Sequence, residues 1–275
     1  MSNIQNESSG QTSAQIYITS KSNYKRVIST NNYSNIMYYF NSSINVSDGF
    51  VFLISLHDAI IPVTWYVISS YNGNNLFNYE INNVSYSYTI PDGNYSVTDL
   101  VNLFNSSSIE TTNGIITSYD SLTNILTFTN ATTNFTILST STCLDILGLT
   151  TGINTTSTNY SLTCPYQVDL SGTREIYVKT NLHTINLDSR IGTLTSSIIA
   201  KVPVVVDNMN FIYYSNITQN RIILKDRTIN NIQIILEDDE GNLLDLTMNY
   251  SLSLDVHIIP NKLIIYQNAL TPDGK

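Results

Sequence analysis

Residues 49–70 read GFVFLISLHDAIIPVTWYVISS. Apolar runs of about 4–8 residues, bounded by turn residues such as Gly49 and Pro62, predict strands buried in a core. The stretch divides into two such strands, 50–57 and 63–69, broken at Pro62. Six more candidates follow in the last third of the chain: 174–182, 196–206, 210–215, 221–225, 228–237 and 251–259. Two and six make eight. Eight antiparallel strands with long connections describe a jelly roll, two sheets packed face to face. Upstream, 15–19 alternates like a short strand and 33–40 is another possible one.

Composition points the same way. The chain has 275 residues, and Asn, Ser and Thr make up over a third of them. Ile, Thr, Tyr and Val suit a pleated, half-buried surface, while Asn, Ser and Gly suit turns. Charged residues are only 12%, against roughly 25% in ordinary globular chains. No apolar run approaches the roughly 20 residues of a membrane-spanning helix. Sparse charge weakens repulsion between copies and eases association; a surface solvated by neutral Asn, Ser and Thr is the plainer reading.

Residues 79–150 form a separate block. A strand or pair of strands (79–90) leads through the turn PDGNYS (91–96) to a helix. Ser96 or Thr98 caps that helix, and Leu100, Val101, Leu103 and Phe104 give it helical spacing. A hairpin across 120–124, a strand at 134–138 and a short apolar segment ending at Gly148 complete the block. A polar linker follows to 162. The organisation expected is therefore a flexible N-terminal arm (1–15), a discontinuous jelly roll (16–78 and 163–275), and an inserted β-rich α+β domain with its linker (79–162).

Charge is distributed unevenly. Lys21, Lys25 and Arg26 face only Glu7 in the first 26 residues. Residues 27–173 contain nine acids and no Lys or Arg. Nucleic-acid surfaces need clustered cations, so a broad one is excluded; the small basic arm could touch the genome weakly. The N-terminus lacks the apolar core of a signal peptide. Cys143 and Cys164 make no disulfide framework, and folding in a reducing cytoplasm is expected. Thirteen Asn-x-Ser/Thr sequons occur, as so much Asn, Ser and Thr would produce anyway.

Catalysis needs convergent titratable groups. The three histidines, His57, His183 and His257, each lie in or at the end of a predicted strand. A Ser-His-Asp arrangement could draw on Asp58, Asp188 or Asp255; the plainer reading is a core-edge or interface histidine. The acidic turn 237–240 with Gly241 and Asn242 could ligate Ca²⁺ but lacks EF-hand spacing. The cysteines lack a CxxC partner for zinc. Leu254-Asp255-Val256 matches an adhesion tripeptide but falls in a predicted core strand. Trp65 and the nineteen tyrosines could stack on sugars, though Tyr is also enriched at interfaces. We assign no catalytic, cofactor or metal residue and expect no enzyme and no cofactor.

Several pieces, in their order and spacing, resemble a known family. They are LHDAIIP (56–62), WYVI (65–68), IPDGNY (90–95), YDSLTN (119–124) before LTF (126–128), ILG (146–148), IIAKVP (198–203), FIYY (211–214) and IQIILEDDEG (232–241). This succession resembles the penton, or minor capsid, proteins of virophages and Polinton-like viruses. The resemblance implies a single jelly roll with an inserted domain, and a homopentamer closing the fivefold vertices of an icosahedral shell. It further implies a major capsid protein as neighbour and the virion as location, after assembly in the host cytoplasm. Under it, 79–150 would project outward and the arm would lie inward. The alternative is a β-sandwich attachment protein, fibre-like or lectin-like, that binds a receptor or glycan.

Overall fold

The computed structural model describes residues 5–6, 12–21, 25–27, 33–184, 197–218 and 220–261. The chain divides into two compact units, Met1–Trp65 with Thr173–Lys275, and Tyr66–Gly172.

The first unit opens with β1 (Gln5–Asn6), β2 (Thr12–Thr19), β3 (Lys25–Val27), β4 (Asn35–Asn45) and β5 (Phe50–Pro62). The second unit carries β6 (Leu76–Ile81), β7 (Val84–Thr89), α1 (Val97–Ser106), α2 (Ser108–Thr111), β8 (Ile115–Asp120) and β9 (Ile125–Asn130). It continues with β10 (Phe135–Ile137), β11 (Thr155–Thr156) and β12 (Ser161–Thr163). The chain then returns to the first unit with β13 (Glu175–Thr180), β14 (Ile198–Pro203), β15 (Phe211–Ser215), β16 (Ile222–Ile223), β17 (Thr228–Glu237) and β18 (Ser251–Pro260).

One sheet of the first unit runs β1-β2-β18-β5-β15, with β16 also on β5; the other runs β14-β13-β17-β4-β3. Eight principal strands, taken in chain order, show the logic. The first pairs the eighth (β2 with β18), the second the seventh (β4 with β17), the third the sixth (β5 with β15), and the fourth the fifth (β13 with β14). All four pairs are antiparallel. This is one long hairpin rolled over on itself into two sheets, the jelly roll expected from strand number. Alternate residues of both sheets meet in a single core: Phe52, Ile54 and Leu56 of β5 with Leu254 and Val256 of β18, and Ile232, Ile234 and Leu236 of β17 with Ile176 and Val178 of β13.

Three strand readings are corrected. β5 continues to Pro62, its last residue. Residues 63–69 are not a strand. Val63, Thr64 and Trp65 are buried, so the apolar run reflects coil entering a core. The eight strands therefore include β2 and β4, while 221–225 shrinks to the two-residue β16. Thr12–Gln15, read as part of a flexible arm, pairs with β18. The rest of 1–11 beyond Gln5–Asn6 lies outside the described residues.

The second unit packs a four-stranded sheet, β11-β10-β6-β7, and a three-stranded one, β12-β9-β8, around α1. Ser96 caps α1: its hydroxyl accepts from Asp99 N–H while the Asp99 carboxylate accepts from Ser96 N–H, a capping box. The helix turns Leu100 and Phe104 inward. Phe104 lies 5.2 Å from Phe77 and 6.1 Å from Phe128, ring centre to ring centre. The unit is wider than the block read at 79–162. Ile68 and Phe77 at one end, and Val168 and Leu170 at the other, belong to its core. The block in the sequence starts at 79, but the unit runs from Tyr66 to Gly172.

Candidate functional site

The strongest constellation in the first unit arises from a β-bulge. Along β18, Ser253 faces Asp58 and Leu254 faces Leu56, which leaves His57 as an extra residue in β5. A bulge turns two successive side chains toward one face. His57 and Asp58 are accordingly both exposed, between the buried Leu56 and Ala59. His57 Nδ1 lies 2.8 Å from Asp255 Oδ2, and Nε2 lies 3.9 Å from Asp58 Oδ2. Asp255 reaches this face because Leu254 and Val256 alternate into the core. The same alternation buries the apolar residues of the adhesion-like tripeptide.

The sequence named His57, Asp58 and Asp255, and the structure brings them together. Among the described residues, no serine hydroxyl is hydrogen-bonded to His57, whose ring bonds Asp255. Ser253, on the same strand face, is buried and its Oγ makes no hydrogen bond. A Ser-His pair must lie within hydrogen-bonding reach to activate the hydroxyl. His57 instead has a carboxylate on each side, Asp255 within hydrogen-bonding distance and Asp58 farther off. His183 pairs with Asp226, which sequence reading did not single out. Nδ1 is 3.0 Å from Oδ1, and the His183 backbone N–H donates to Oδ2 at 2.6 Å. Asp188 lies outside the described residues. His257 lies opposite Leu53 of β5 and Ser13 of β2, two residues along β18 from Asp255.

The acidic turn has a structural task. Asp238 Oδ1 accepts from the backbone N–H groups of Glu240 (2.9 Å) and Asn242 (2.8 Å). Its own N–H donates to the Asn242 carbonyl. The carboxylate thus closes the hairpin tip, and Gly241 takes the left-handed conformation at φ 92° that the tip requires. Among the described residues, no three His, Cys, Asp or Glu side chains are arranged to hold a metal ion.

Cys143 and Cys164 are both free and buried in the second unit's core. Burial pushes each thiol up to about 12, which removes thiolate reactivity near neutral pH. Trp65 is buried and packs in the jelly-roll core. The tyrosines divide between tasks. Tyr38 and Tyr250 meet inside the first unit, hydroxyl to hydroxyl at 3.5 Å, with both raised by desolvation. Tyr17, Tyr213, Tyr66 and Tyr166 are exposed.

What sequence reading missed is the outer side of β15. Ile212 and Tyr214 turn into the core, whereas Phe211 and Tyr213 face outward and are exposed. The signal was present in FIYY (211–214): apolar residues at both parities of a strand. A sheet with one solvated face alternates apolar and polar residues instead.

The fold defines the class: an antiparallel jelly roll whose third and fourth strands are separated by an inserted α+β unit. Among solved structures, the crystal structure of the selenomethionine-labelled mavirus penton protein is similar to it. That similarity has a TM-score of 0.50 and 11% sequence identity, and covers 90% of this chain and 99% of the other. No protein-family model matches the sequence. No curated protein matches it either. Among the described residues, no helix is long and apolar enough to cross a membrane.

Proposed function

We propose that this chain is a structural subunit of a viral capsid, a penton-like protein that assembles as a homopentamer at the fivefold vertices of an icosahedral shell. The observation that carries the reading is the nested pairing of eight strands around an inserted unit, an architecture similar to the mavirus penton protein over nearly its whole length. Low charge fits a subunit that packs against copies of itself. In this reading the jelly roll meets its own copies and a surrounding major capsid protein. The inserted unit, with seven acidic residues and no Lys, Arg or His, projects outward. The N-terminal segment with Lys21, Lys25 and Arg26 lies toward the interior, near the genome.

The test is position in the particle. Cryo-electron microscopy of purified virions, with a Fab against the inserted unit, should show Fab density at the fivefold vertices and nowhere else. Density on fibres, or a positive glycan array for the isolated protein without vertex density, would favour an attachment protein instead.

A further inference from the structure

The outer row along β15 is apolar and exposed. Met209, Tyr213 and Ile217 are 71%, 76% and 89% exposed, Phe211 is 38% exposed, and Ile60, directly opposite Tyr213, is 40% exposed. At the roughly 200 Å² a large side chain carries, these five leave roughly 600 Å² of surface uncovered. That approaches one side of a standard interface, about 800 Å² per partner. No charged residue occurs between Asp207 and Arg221. The strand is also a sheet edge, and among the described residues nothing pairs its far side. An exposed apolar edge strand invites another strand.

The same sheet ends on its opposite side at β2. There β1 covers only Thr12 and Ser13, and among the described residues nothing pairs β2 from Ala14 to Thr19 on that side. Tyr17 is exposed on the outer face of this second edge. The directions of the strands are decisive. β2 is antiparallel to β18, β18 to β5, and β5 to β15. A β2 strand from another copy can therefore continue the antiparallel order beyond β15, with its whole sheet running the same way. This is a head-to-tail contact between two different patches, the kind a closed ring requires. Charge agrees with it. Antiparallel docking brings the C-terminal end of β2, with exposed Lys21, to the N-terminal end of β15, just after exposed Asp207. A register that sets Tyr17 opposite Tyr213 sets Lys21 opposite Met209, two residues from Asp207.

We propose that β15 of one copy pairs with β2 of the next, so that adjacent subunits share a continuous sheet and bury Tyr213 beside Tyr17. This deepens the homo-oligomer reading and rests on it. Disulfide trapping tests it, because residues facing each other across paired strands have Cα atoms about 4.5–5.5 Å apart, within disulfide range. The native Cys143 and Cys164 are buried and do not interfere. Mixing full-length Tyr17→Cys with full-length Tyr213→Cys under mild oxidation should give a disulfide-linked dimer that neither variant forms alone. The double variant should give a ladder that closes at the ring. Tyr213→Lys should abolish the oligomer while its circular dichroism stays that of the unchanged chain. If native mass spectrometry shows the usual oligomer but the mixture does not cross-link, or Tyr213→Lys still assembles, the edge pairing is overturned and the oligomer stands. Cross-linking of either variant with itself also overturns it. If the unmodified chain is monomeric at every concentration, the oligomer reading fails and this inference with it.

Discussion

The two units solve the same problem, satisfying a β-rich backbone, with different side chains. The jelly roll uses long strands, pairing residues as far apart as Thr19 and Ser251, and pins its faces with ion pairs. Lys179 Nζ lies 2.7 Å from Glu237, Lys201 lies 2.9 Å from Glu175, and Arg227 lies 2.7 Å from Asp48. The inserted unit has no cation at all and uses asparagine where the roll uses charge. Asn105 bonds both the N–H and the carbonyl of Thr117, at 2.7 and 2.8 Å. Asn74 takes the Ser69 N–H and gives to the Val67 carbonyl, both at 2.8 Å. Asn130 accepts from Thr132 and Thr133 and donates to the Asn113 carbonyl. A primary amide carries the same donor and acceptor as a peptide, so it can stand in for a missing strand. The high Asn content is therefore structural here, and sequons such as those at Asn130 and Asn134 are engaged in backbone bonds.

The contrast predicts separable units. Pairing in the insertion stays within the unit and includes local hairpins, as in Leu76 opposite Thr89, and local contacts favour fast, autonomous folding. Val67 and Gly172, near its two ends, are neighbours, so the unit can be excised. The largest effect expected is from Phe104→Ala, which removes a ring packed on Phe77 and Phe128. It should cost the insertion about 3–5 kcal/mol, seen as loss of hydrogen-exchange protection in 66–172 with protection of β17 and β18 unchanged. Parallel loss in both units would break the comparison. Lys179→Ala removes the 2.7 Å ion pair to the largely buried Glu237. It should destabilise the roll by about 3 kcal/mol and leave the insertion alone in the same assay. Gly148 sits at φ 77°, and a Cβ there would fall 2.2 Å from the Tyr166 carbonyl oxygen. Gly148→Ala should therefore cost roughly 2–3 kcal/mol, confined to the insertion. Ser96→Ala removes the α1 cap and should cost about 1 kcal/mol, read by denaturant unfolding of the excised unit.

The smallest effect concerns acid. Asp120 is held below the usual carboxylate range, first by the Leu122 N–H and then by the Thr123 hydroxyl. A depressed folded pKa contributes stability above the unfolded value that is lost as pH falls through the folded one. Asp120→Asn should remove that slight acid-side loss from the insertion. Glu175, lowered chiefly by the Lys201 hydrogen bond, should keep its own contribution in the roll. Titrating thermal unfolding of both units resolves the two.

Much of this was readable in the sequence. Strand 228–237 has the bounds read from its apolar run, although a bulge between Ile229 and Asn231 interrupts the alternation, and Ser96, one of the two caps read, is the cap of α1. The errors have physical causes. Val63, Thr64 and Trp65 are buried because they enter a core, and burial alone does not distinguish coil from strand. Asn41, Ser42 and Ser43 look like a loop, yet β4 runs on to Asn45 because Thr228 and Ile229 pair with its end. The two-residue β11 and three-residue β12 hide in a Thr-rich stretch read as linker, since their partners β10 and β9 supply the pairing. His57 and Asp255 were named from type alone. Their meeting depends on a bulge between strands nearly two hundred residues apart, which no local pattern encodes.

The central claim is that this jelly roll exists to associate with copies of itself. Native mass spectrometry of the full-length chain tests it most directly. The account predicts a closed species of five chains, each of 30.8 kDa, that dissociates when Tyr213 is replaced by lysine. A monomer at every concentration would contradict it.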